Sequence, residues 1–367
     1  MCFLKSVTVL FSMESNTFCK HLSNGYRFYI DHGVITYHPC CQWIGDKISF
    51  HEDTILQQRT EWNVNEPWAH AGCGQCGSEE PYNQDRSYRN IGNRRIPILP
   101  QNKVGWLDIQ ADVTCNGGCL ICGPHLSSYW QSELSKYQEY IPIANKIDLP
   151  ALVNRIFDAL DTSELRLLQF VGGEPFLSDL DSIGINRIVS PEQCTLKYVT
   201  NGSVFPKNTK IDRWKKFEQL IITLSIDGVG DRFDYLRYPL KWNTVERNIN
   251  RMIKEFPSNV LFTINHTITP LNILYYDEFL QWVNNTFDSI PRIHCHPAYG
   301  IMSPAHGGEQ LRKLVVNKYG QGHQLSSMIN SSSVINAKFL DYINHWDPRR
   351  KTNWQQTFPD VVDVLSK

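Results

Sequence analysis

The chain has 367 residues, which is enough for one large domain and a smaller one. Its 36 Lys and Arg residues nearly balance its 37 Asp and Glu residues, so it lacks the basic charge typical of a general nucleic-acid-binding protein. Aromatic residues make up 12% of the chain, as in folded rather than disordered proteins. No apolar run reaches transmembrane length and no signal-peptide cleavage site is evident, so we predict a cytoplasmic protein that does not enter a membrane.

The first hundred residues show little periodic apolar pattern. Most of the 11 cysteines of the chain lie in tight groups, a spacing that favours metal ligation in a reducing compartment over a disulfide framework. A segment this irregular needs a cross-link to fold. We therefore predict an irregular cysteine-rich domain over residues 1–100. Its cysteines are Cys2, Cys19, Cys40, Cys41, Cys73 and Cys76.

From residue 104 onward, short apolar runs alternate with segments of helical periodicity. The runs predict six strands, over residues 104–112, 165–173, 195–202, 220–228, 260–269 and 292–299. The segments between them predict helices over residues 128–140, 149–160, 244–255 and 275–286. This alternation is typical of a parallel α/β sheet, either doubly wound or a partly open barrel, over residues 101–300. Residues 301–367 are polar at first and end with a predicted helix over residues 337–345, and the sequence assigns them no chemistry.

Residues suited to chemistry follow four of the predicted strands. Three cysteines follow the first strand, Gly-Gly-Glu-Pro (172–175) ends the second, Thr-Asn-Gly (200–202) ends the third and Ser-Ile-Asp-Gly (225–228) ends the fourth. The carboxyl ends of parallel strands share one edge of a sheet, where α/β proteins place their chemistry. We therefore expect one functional site at this edge.

The three cysteines after the first strand are Cys115, Cys119 and Cys122. Clustered thiolates select zinc or iron-sulfur clusters. A structural zinc site needs four ligands, usually in two separated pairs, whereas three thiolates on a cubic iron-sulfur cluster leave one iron open to another ligand. The missing fourth cysteine is then the functional feature.

The other strand-end residues suit one particular ligand. A Gly-Gly turn admits close approach of a ligand, and the adjacent Glu174 can bind an ammonium group. Arg237 can pair with a carboxylate, whereas Ser225, Asp227 and Asn201 can bind hydroxyl groups. Ammonium, carboxylate and ribose together describe S-adenosylmethionine.

The cysteine spacing and the three strand-end motifs, in this order, resemble the radical S-adenosylmethionine (radical SAM) superfamily over about residues 104–300. One departure is Ile121, where members often have an aromatic residue. The resemblance implies a partial (β/α)6 TIM-like barrel, with the cysteine triplet holding a [4Fe-4S] cluster. It also implies that Gly172, Gly173 and Glu174 hold the methionine amino group and that Arg237 holds its carboxylate. Ser225, Asp227 and Asn201 would serve the ribose or the methionine end.

The cysteines before the barrel resemble those of the twitch or SPASM-like group of that superfamily, in which an auxiliary iron-sulfur cluster adjoins the barrel. Cys19, Cys73, Cys76 and one of Cys40 and Cys41 would be four ligands, enough to close a second [4Fe-4S] cluster suited to electron transfer. The alternative is a tetrahedral zinc site that stabilises the segment.

Several other residues admit both a functional and a structural interpretation. Asn265 lies on a polar face of the fifth strand, and His294 and His296 share one face of the sixth, so all three are candidates to line a substrate pocket. The alternative for the histidines is an ordinary satisfied core role. Ser127 and Ser128 are predicted to cap the following helix. Cys194 and Cys295 are predicted to be inert thiols.

The sequence therefore predicts a radical SAM enzyme of oxidoreductase or isomerase type. The resemblance implies reductive cleavage of S-adenosylmethionine by a reductant such as flavodoxin or ferredoxin, followed by hydrogen abstraction from substrate. We predict oxidation, epimerisation or crosslinking of a peptide-like substrate. One alternative is modification of a nucleotide or nucleic-acid base. Another is a catalytically silent, metal-stabilised binding protein.

Overall fold

A computed structural model describes residues 18–31, 33–60, 71–74, 76, 87–100, 102–141, 147–329 and 337–366, with no side-chain description for residues 58–60 and 71. The chain divides into two compact units. Unit 1 comprises residues 1–112, 143–198 and 208–220, whereas unit 2 comprises residues 113–142, 199–207 and 221–367.

The described residues form nine strands and a series of short to medium helices. The strands are β1 (Gly25–Asp31), β2 (Val34–His38), β3 (Ile48–Ser49), β4 (Trp106–Gln110), β5 (Leu167–Phe170), β6 (Thr195–Thr200), β7 (Gln219–Ser225), β8 (Val260–Ile268) and β9 (Arg292–Pro297). The helices are α1 (Lys20–Asn24), α2 (Ile55–Thr60), α3 (Tyr88–Arg95), α4 (Ser128–Lys136), α5 (Leu149–Asp158), α6 (Asp181–Ile185), α7 (Asn208–Trp214), α8 (Gly230–Leu236), α9 (Trp242–Glu255), α10 (Tyr276–Thr286), α11 (Gly308–Tyr319), α12 (Gln324–Ser327), α13 (Ala337–Arg350), α14 (Trp354–Thr357) and α15 (Pro359–Leu365). Short 3-10 turns cover Ala71–Cys73, Pro175–Leu177, Pro191–Gln193, Ile273–Tyr275, Gly300–Met302 and Pro304–Gly307.

The strands of unit 1 follow the order β3-β2-β1-β4-β5-β6. Strands β1, β4, β5 and β6 pair in parallel, whereas β2 and β3 are antiparallel additions at one end. Tyr26 and Phe28 of β1 and Tyr37 of β2 are fully buried and pack ring against ring. These aromatic contacts fix the antiparallel hairpin on the parallel strands because they bury one face of it.

Unit 2 contains β8 and β9, most of β7 and the helices that follow them. Strands β8 and β9 pair in parallel, with Asn265 opposite His294 and Thr267 opposite His296. Ile264 and Ile268 of β8 are fully buried, and the His266 ring between them stacks on Phe279 of α10 at 4.0 Å between centroids. That face of β8 is therefore covered by helix.

The structure confirms the predicted α/β class, with parallel strands and intervening helices in the succession of a partial TIM-like barrel. The six predicted strands correspond to β4 to β9, and the predicted helices correspond to α4, α5, α9, α10 and α13. Residues 25–49 differ from the expected irregular segment, because they form β1 to β3. The segment after residue 300 also contains α11 (Gly308–Tyr319), which the sequence analysis did not predict.

Candidate functional site

The loop that carries the cysteine triplet runs between β4 and α4 in unit 2. Two glycines separate its first two cysteines. A Cβ atom on Gly118 would lie 2.8 Å from the Tyr129 ring and 3.0 Å from an Arg350 nitrogen, so a larger residue there would displace the loop. The amide of Cys122 donates to the carbonyl of Cys119 at 2.9 Å. This turn brings the second and third cysteines to the same part of the loop.

The two serines that follow the triplet tie its first half to α4. Ser127 accepts a hydrogen bond from the Trp130 amide at 3.3 Å, which confirms its predicted capping role, and its hydroxyl donates to the Gly117 carbonyl at 2.6 Å. Ser128 instead contacts the backbone of Cys115, whose amide donates to its hydroxyl at 3.0 Å. Both serines therefore hold the cysteine loop against the helix.

Two aromatic side chains hold the second half of the loop. The Trp130 indole donates to the carbonyl of Cys119 at 3.0 Å, and the Tyr342 hydroxyl donates to the carbonyl of Leu120 at 3.2 Å. Tyr342 lies on α13, in the segment to which the sequence assigned no chemistry. That segment thus supports the cysteine loop directly.

The three thiols lie within electrostatic reach of one another. Burial, with smaller contributions from Cys122 and Cys115, raises the pKa of Cys119 to about 12 against the lowering effect of Arg237. Burial also raises the pKa of Cys122, with a smaller contribution from Cys115. Among the described residues, no three His, Cys, Asp or Glu side chains converge closely enough to ligate a single metal ion. The chemistry of the donor set, three thiols on one loop, fits an iron-sulfur cluster in which each thiolate binds a different iron.

Two residues predicted to bind cofactor contact thiols of the triplet. The Asn201 amide lies 4.0 Å from the sulfur of Cys115, and the Arg237 guanidinium lies 3.9 Å from the sulfur of Cys119. Asn201 also donates to the Asn116 side chain at 3.1 Å. Since both groups are donors, each can stabilise a thiolate.

Arg237 also forms an ion pair with Asp227, with 2.6 Å between the guanidinium and the carboxylate. Both side chains are buried, and the second carboxylate oxygen accepts the Thr267 amide at 2.8 Å. The Nε atom of Arg237 is buried without a partner in the described part of the chain. Ser225 is the last residue of β7 and is half-buried, and it precedes Asp227 by two residues in the sequence. The sequence predicted that Arg237 binds a ligand carboxylate, and its pairing with Asp227 was not predicted.

The substrate-lining candidates lie side by side on β8 and β9. Asn265 and His294 are register partners, and the His296 ring bonds the Thr267 hydroxyl at 3.2 Å. All three candidates are half-buried and lie on the face of β8 and β9 opposite the helix-covered His266. The structure therefore brings these candidates together, and their role in substrate binding stays a prediction.

The Gly-Gly-Glu motif lies in unit 1, after β5. Gly172 has φ +87° and Gly173 has φ +53°, a backbone region that favours glycine. A Cβ atom on Gly172 would lie 2.4 Å from the Gln110 side chain. Glu174 is buried and accepts the Phe176 amide at 3.1 Å. These contacts explain the glycines, and the binding of an amino group by Glu174 stays a prediction.

A second group of thiols lies in unit 1. Four cysteines line one small cavity together with Leu22, His21 and Arg89. They are Cys19, Cys40, Cys73 and Cys76. Burial, with smaller contributions from Cys19 and Cys76, raises the pKa of Cys73 to about 12. The donor set fits a fully ligated iron-sulfur cluster, and the buried Nδ1 of His21 has no partner in the described residues.

Cys41 lies in a different environment from Cys40. Burial raises its pKa to about 11, with the largest electrostatic contributions from Asp108, which raises it, and Arg27, which lowers it. Cys41 also hydrogen-bonds the Tyr88 side chain. The two adjacent cysteines thus face different surroundings, and the geometry favours Cys40 as the fourth member of the thiol group.

The remaining two described cysteines lie outside both groups. Cys194 is fully buried, and burial raises its pKa to about 12. Cys295 is half-buried, and its thiol forms a hydrogen bond with the Tyr276 side chain. The ten described cysteines form no disulfide with one another, and Cys2 lies outside the described residues.

No protein-family model and no curated protein matches the chain. Among solved structures, anSMEcpe with bound AdoMet is 16% identical, covering 57% of this chain and 58% of its own, with a TM-score of 0.39. Streptococcus suis SuiB bound to S-adenosylmethionine is 12% identical over 90% of this chain and 71% of its own, with a TM-score of 0.37. TYW1 with a lysine-pyruvate adduct bound is 14% identical, covering 86% of this chain and 90% of its own, with a TM-score of 0.34. At such identities and TM-scores, these similarities do not establish an activity for this chain.

No described helix is both long enough and apolar enough to span a membrane.

Proposed function

We propose that the chain is a radical SAM enzyme. The observation that carries this proposal is the contact of Asn201 and Arg237 with thiols of the Cys115, Cys119 and Cys122 loop. A residue at the third strand end, Asn201, and one that directly follows α8, Arg237, thus contact the triplet, as expected if all of them serve one cofactor. The chemistry of three thiolates fits a [4Fe-4S] cluster with one iron open to S-adenosylmethionine.

When bound, the cluster and S-adenosylmethionine would together supply hydrogen-abstraction chemistry, with one electron from flavodoxin or ferredoxin in a reducing cytoplasm and release of methionine and 5'-deoxyadenosine. Arg237 offsets the negative charge of the Cys119 thiolate, and Asp227 orients the guanidinium. The unpartnered Nε of Arg237 is a donor for the methionine carboxylate. Glu174 would bind the methionine amino group, and Ser225 with Asn201 would serve the ribose.

We also propose that Cys19, Cys40, Cys73 and Cys76 hold an auxiliary [4Fe-4S] cluster. The shared cavity and the mutual electrostatic effect of these thiols support it. A fully ligated cluster can accept an electron from a substrate radical, which favours net oxidation of a peptide-like substrate. Asn265, His294 and His296 are proposed to line the substrate pocket.

Iron content separates the two thiol groups. Anaerobic reconstitution of the wild-type chain should give about eight irons, and Cys115→Ala/Cys119→Ala/Cys122→Ala should retain about four. In that triple variant, adding Cys40→Ala should reduce the iron further, whereas adding Cys41→Ala should not. Cys295→Ala is the matched control, because its thiol lies outside both groups, and it should retain all iron.

Reductive cleavage of S-adenosylmethionine to 5'-deoxyadenosine should occur with the wild-type chain and be lost in the triple variant. Unchanged iron in the triple variant would contradict the assignment of the triplet. About four irons in the wild type and none in the triple variant would assign the second group to another metal, such as zinc. Full iron without any cleavage would favour a silent binding protein.

A further inference from the structure

A row of polar side chains crosses four parallel strands of unit 1. Arg27 of β1 is the register partner of Asp108 of β4, Asp108 that of Gln169 of β5, and Gln169 that of Lys197 of β6. Register partners in neighbouring parallel strands lie on the same face, about 4.8 Å apart at the backbone. The four residues therefore form a continuous line, here called the polar row.

The polar row lies in a sheet whose other residues are mainly apolar, with Asp108 and Gln169 buried and Arg27 and Lys197 half-buried. The Asp108 side chain is 0% exposed, Gln169 is 6% exposed, and the Arg27 side chain is 17% exposed. Burial also lowers the pKa of Lys197, since the protonated form is desolvated. Burying charges at this density is costly unless each is well paired.

Asp108 already has three neighbours. One carboxylate oxygen accepts the Trp106 indole at 3.0 Å. The other accepts the Tyr88 hydroxyl at 3.4 Å and lies 3.7 Å from the Arg27 guanidinium. Its single negative charge therefore offsets only one of the two cations of the row.

The other members of the polar row have unused hydrogen-bonding capacity. The Nε atom of Arg27 and the Oε1 atom of Gln169 are buried and have no partner in the described residues. The Lys197 ammonium interacts electrostatically with Asp108 but has no hydrogen bond to the part of the chain that the structure describes. Two cations therefore share one carboxylate, which leaves the row with an excess positive charge.

We propose that the polar row binds a carboxylate of the substrate between Arg27 and Lys197, with the Gln169 amide bonding an adjacent substrate amide. The two cations lie three strand spacings apart, about 14 Å at the backbone. The Arg27 guanidinium lies 3.7 Å from Asp108, and Lys197 lies on the same face by register and interacts electrostatically with that carboxylate. A carboxylate placed there accepts from both cations and supplies the missing negative charge. The substrate class is thus an acidic peptide or N-acyl amino acid.

The surroundings of the row agree with a substrate site. Cys41 lies beside Asp108, Arg27 and Lys197, whereas the adjacent Cys40 belongs to the four-thiol group. One peptide bond thus joins a residue beside the polar row, Cys41, to a proposed ligand of the auxiliary cluster, Cys40. A substrate held by the row would lie close to that electron acceptor, so this inference rests on the function proposed above.

The test compares two peptides that differ by one charge, acetyl-Ala-Glu-Ala-amide and acetyl-Ala-Gln-Ala-amide. Their binding to the reconstituted full-length chain is measured by calorimetry or ligand-observed NMR. We expect the Glu peptide to bind on the order of tenfold more tightly, the value of a charged hydrogen bond. Lys197→Met should abolish this preference, and Lys197→Arg should restore part of it. Lys215→Met is the matched control, because Lys215 is exposed and pairs only with Asp212, and it should not change the preference.

Equal binding of both peptides to the wild-type chain, or a preference that survives Lys197→Met, would overturn the inference. Tighter Lys197-dependent binding of 5'-AMP than of the Glu peptide would also overturn it, because the anion would then be a nucleotide phosphate. If circular dichroism shows that Lys197→Met folds poorly, Gln169→Leu provides a second test. This variant should bind both peptides more weakly than the wild type does. Unchanged binding of both peptides would overturn the proposed contact between Gln169 and a substrate amide. Peptide binding needs no cleavage of S-adenosylmethionine. A failure of cleavage with intact discrimination would therefore refute the proposed function and leave the carboxylate site standing.

Discussion

The buried ion pair behind the cysteine loop offers a stringent test of the structure. Arg350, in the last turn of α13, contacts both carboxylate oxygens of Glu133 on α4, at 3.1 and 2.5 Å. The two side chains are 2% and 7% exposed. The guanidinium also lies over the rings of Trp130 and Trp346, at 4.5 and 4.7 Å from their centroids. Trp130 in turn donates to the backbone of the cysteine loop, so the pair supports that loop.

Replacing one partner of the Glu133–Arg350 pair should lower the free energy of unfolding more than replacing both partners. Arg350→Met leaves the Glu133 carboxylate buried without its cation, and we expect the free energy of unfolding to fall by about 3–5 kcal/mol. The double variant Glu133→Leu/Arg350→Met removes both charges, and replacement of a buried ion pair by apolar side chains is often nearly neutral. We therefore expect the double variant to be more stable than Arg350→Met alone.

Urea unfolding of the metal-free chain, followed by tryptophan fluorescence, measures these differences. The control is Arg251→Met, because Arg251 and Glu255 are 49% and 46% exposed, and its cost should be no more than about 1 kcal/mol. Equal costs for Arg350→Met and Arg251→Met would refute the buried geometry. So would a double variant as unstable as the sum of its single variants.

Two further predictions concern pH. His266 is buried and donates from Nδ1 to the Ile226 carbonyl at 2.7 Å, and burial lowers its pKa from 6.5 to about 4. The unfolded chain therefore binds the proton first, so the free energy of unfolding should fall by up to roughly 3 kcal/mol as pH falls from 6.5 to 4. The urea concentration at the midpoint of unfolding should fall less steeply with falling pH for His266→Asn than for the wild type. Parallel curves for the two proteins would contradict this. Lys103 lowers the pKa of the Asp161 carboxyl from 3.8 to about 2, so its contribution exists above pH 3.8 and is lost as pH falls through 2. Because this pair is exposed, Lys103→Met should cost at most about 1 kcal/mol near pH 7 and nothing near pH 2, and a constant cost across that range would contradict the ion pair.

The sequence predicted the parallel strands because their apolar runs are short and bounded by turn residues. Strand β1 was missed although its pattern is regular: Tyr26, Phe28 and Ile30 are buried and alternate with Arg27 and Tyr29. The cysteines around it drew attention to metal ligation instead. Its parallel pairing with β4 joins segments about eighty residues apart, and no local pattern specifies so distant a partner.

The polar row shows a second limit of sequence analysis. A single polar residue in an apolar strand, such as Asp108 in Trp-Leu-Asp-Ile-Gln, has several explanations when it is considered alone. Only the register places Asp108 beside Gln169 and Gln169 beside Lys197. The available signal was the recurrence of one polar residue in the middle of each successive strand. That recurrence can be searched for in a sequence, but its alignment depends on register.

The adjacent Cys40 and Cys41 could not be distinguished by spacing, since either would complete a set of four thiols. Their environments distinguish them. Cys40 shares a cavity with three other thiols, whereas Cys41 lies beside Asp108 and Arg27. Cys41 does not line that cavity, and its hydrogen bond to Tyr88 lies in the surroundings of Asp108 instead. At Cys40 an iron cluster would neutralise the charge that several close thiolates create. The shared cavity thus selects Cys40 as a ligand and leaves Cys41 to the surroundings of the polar row.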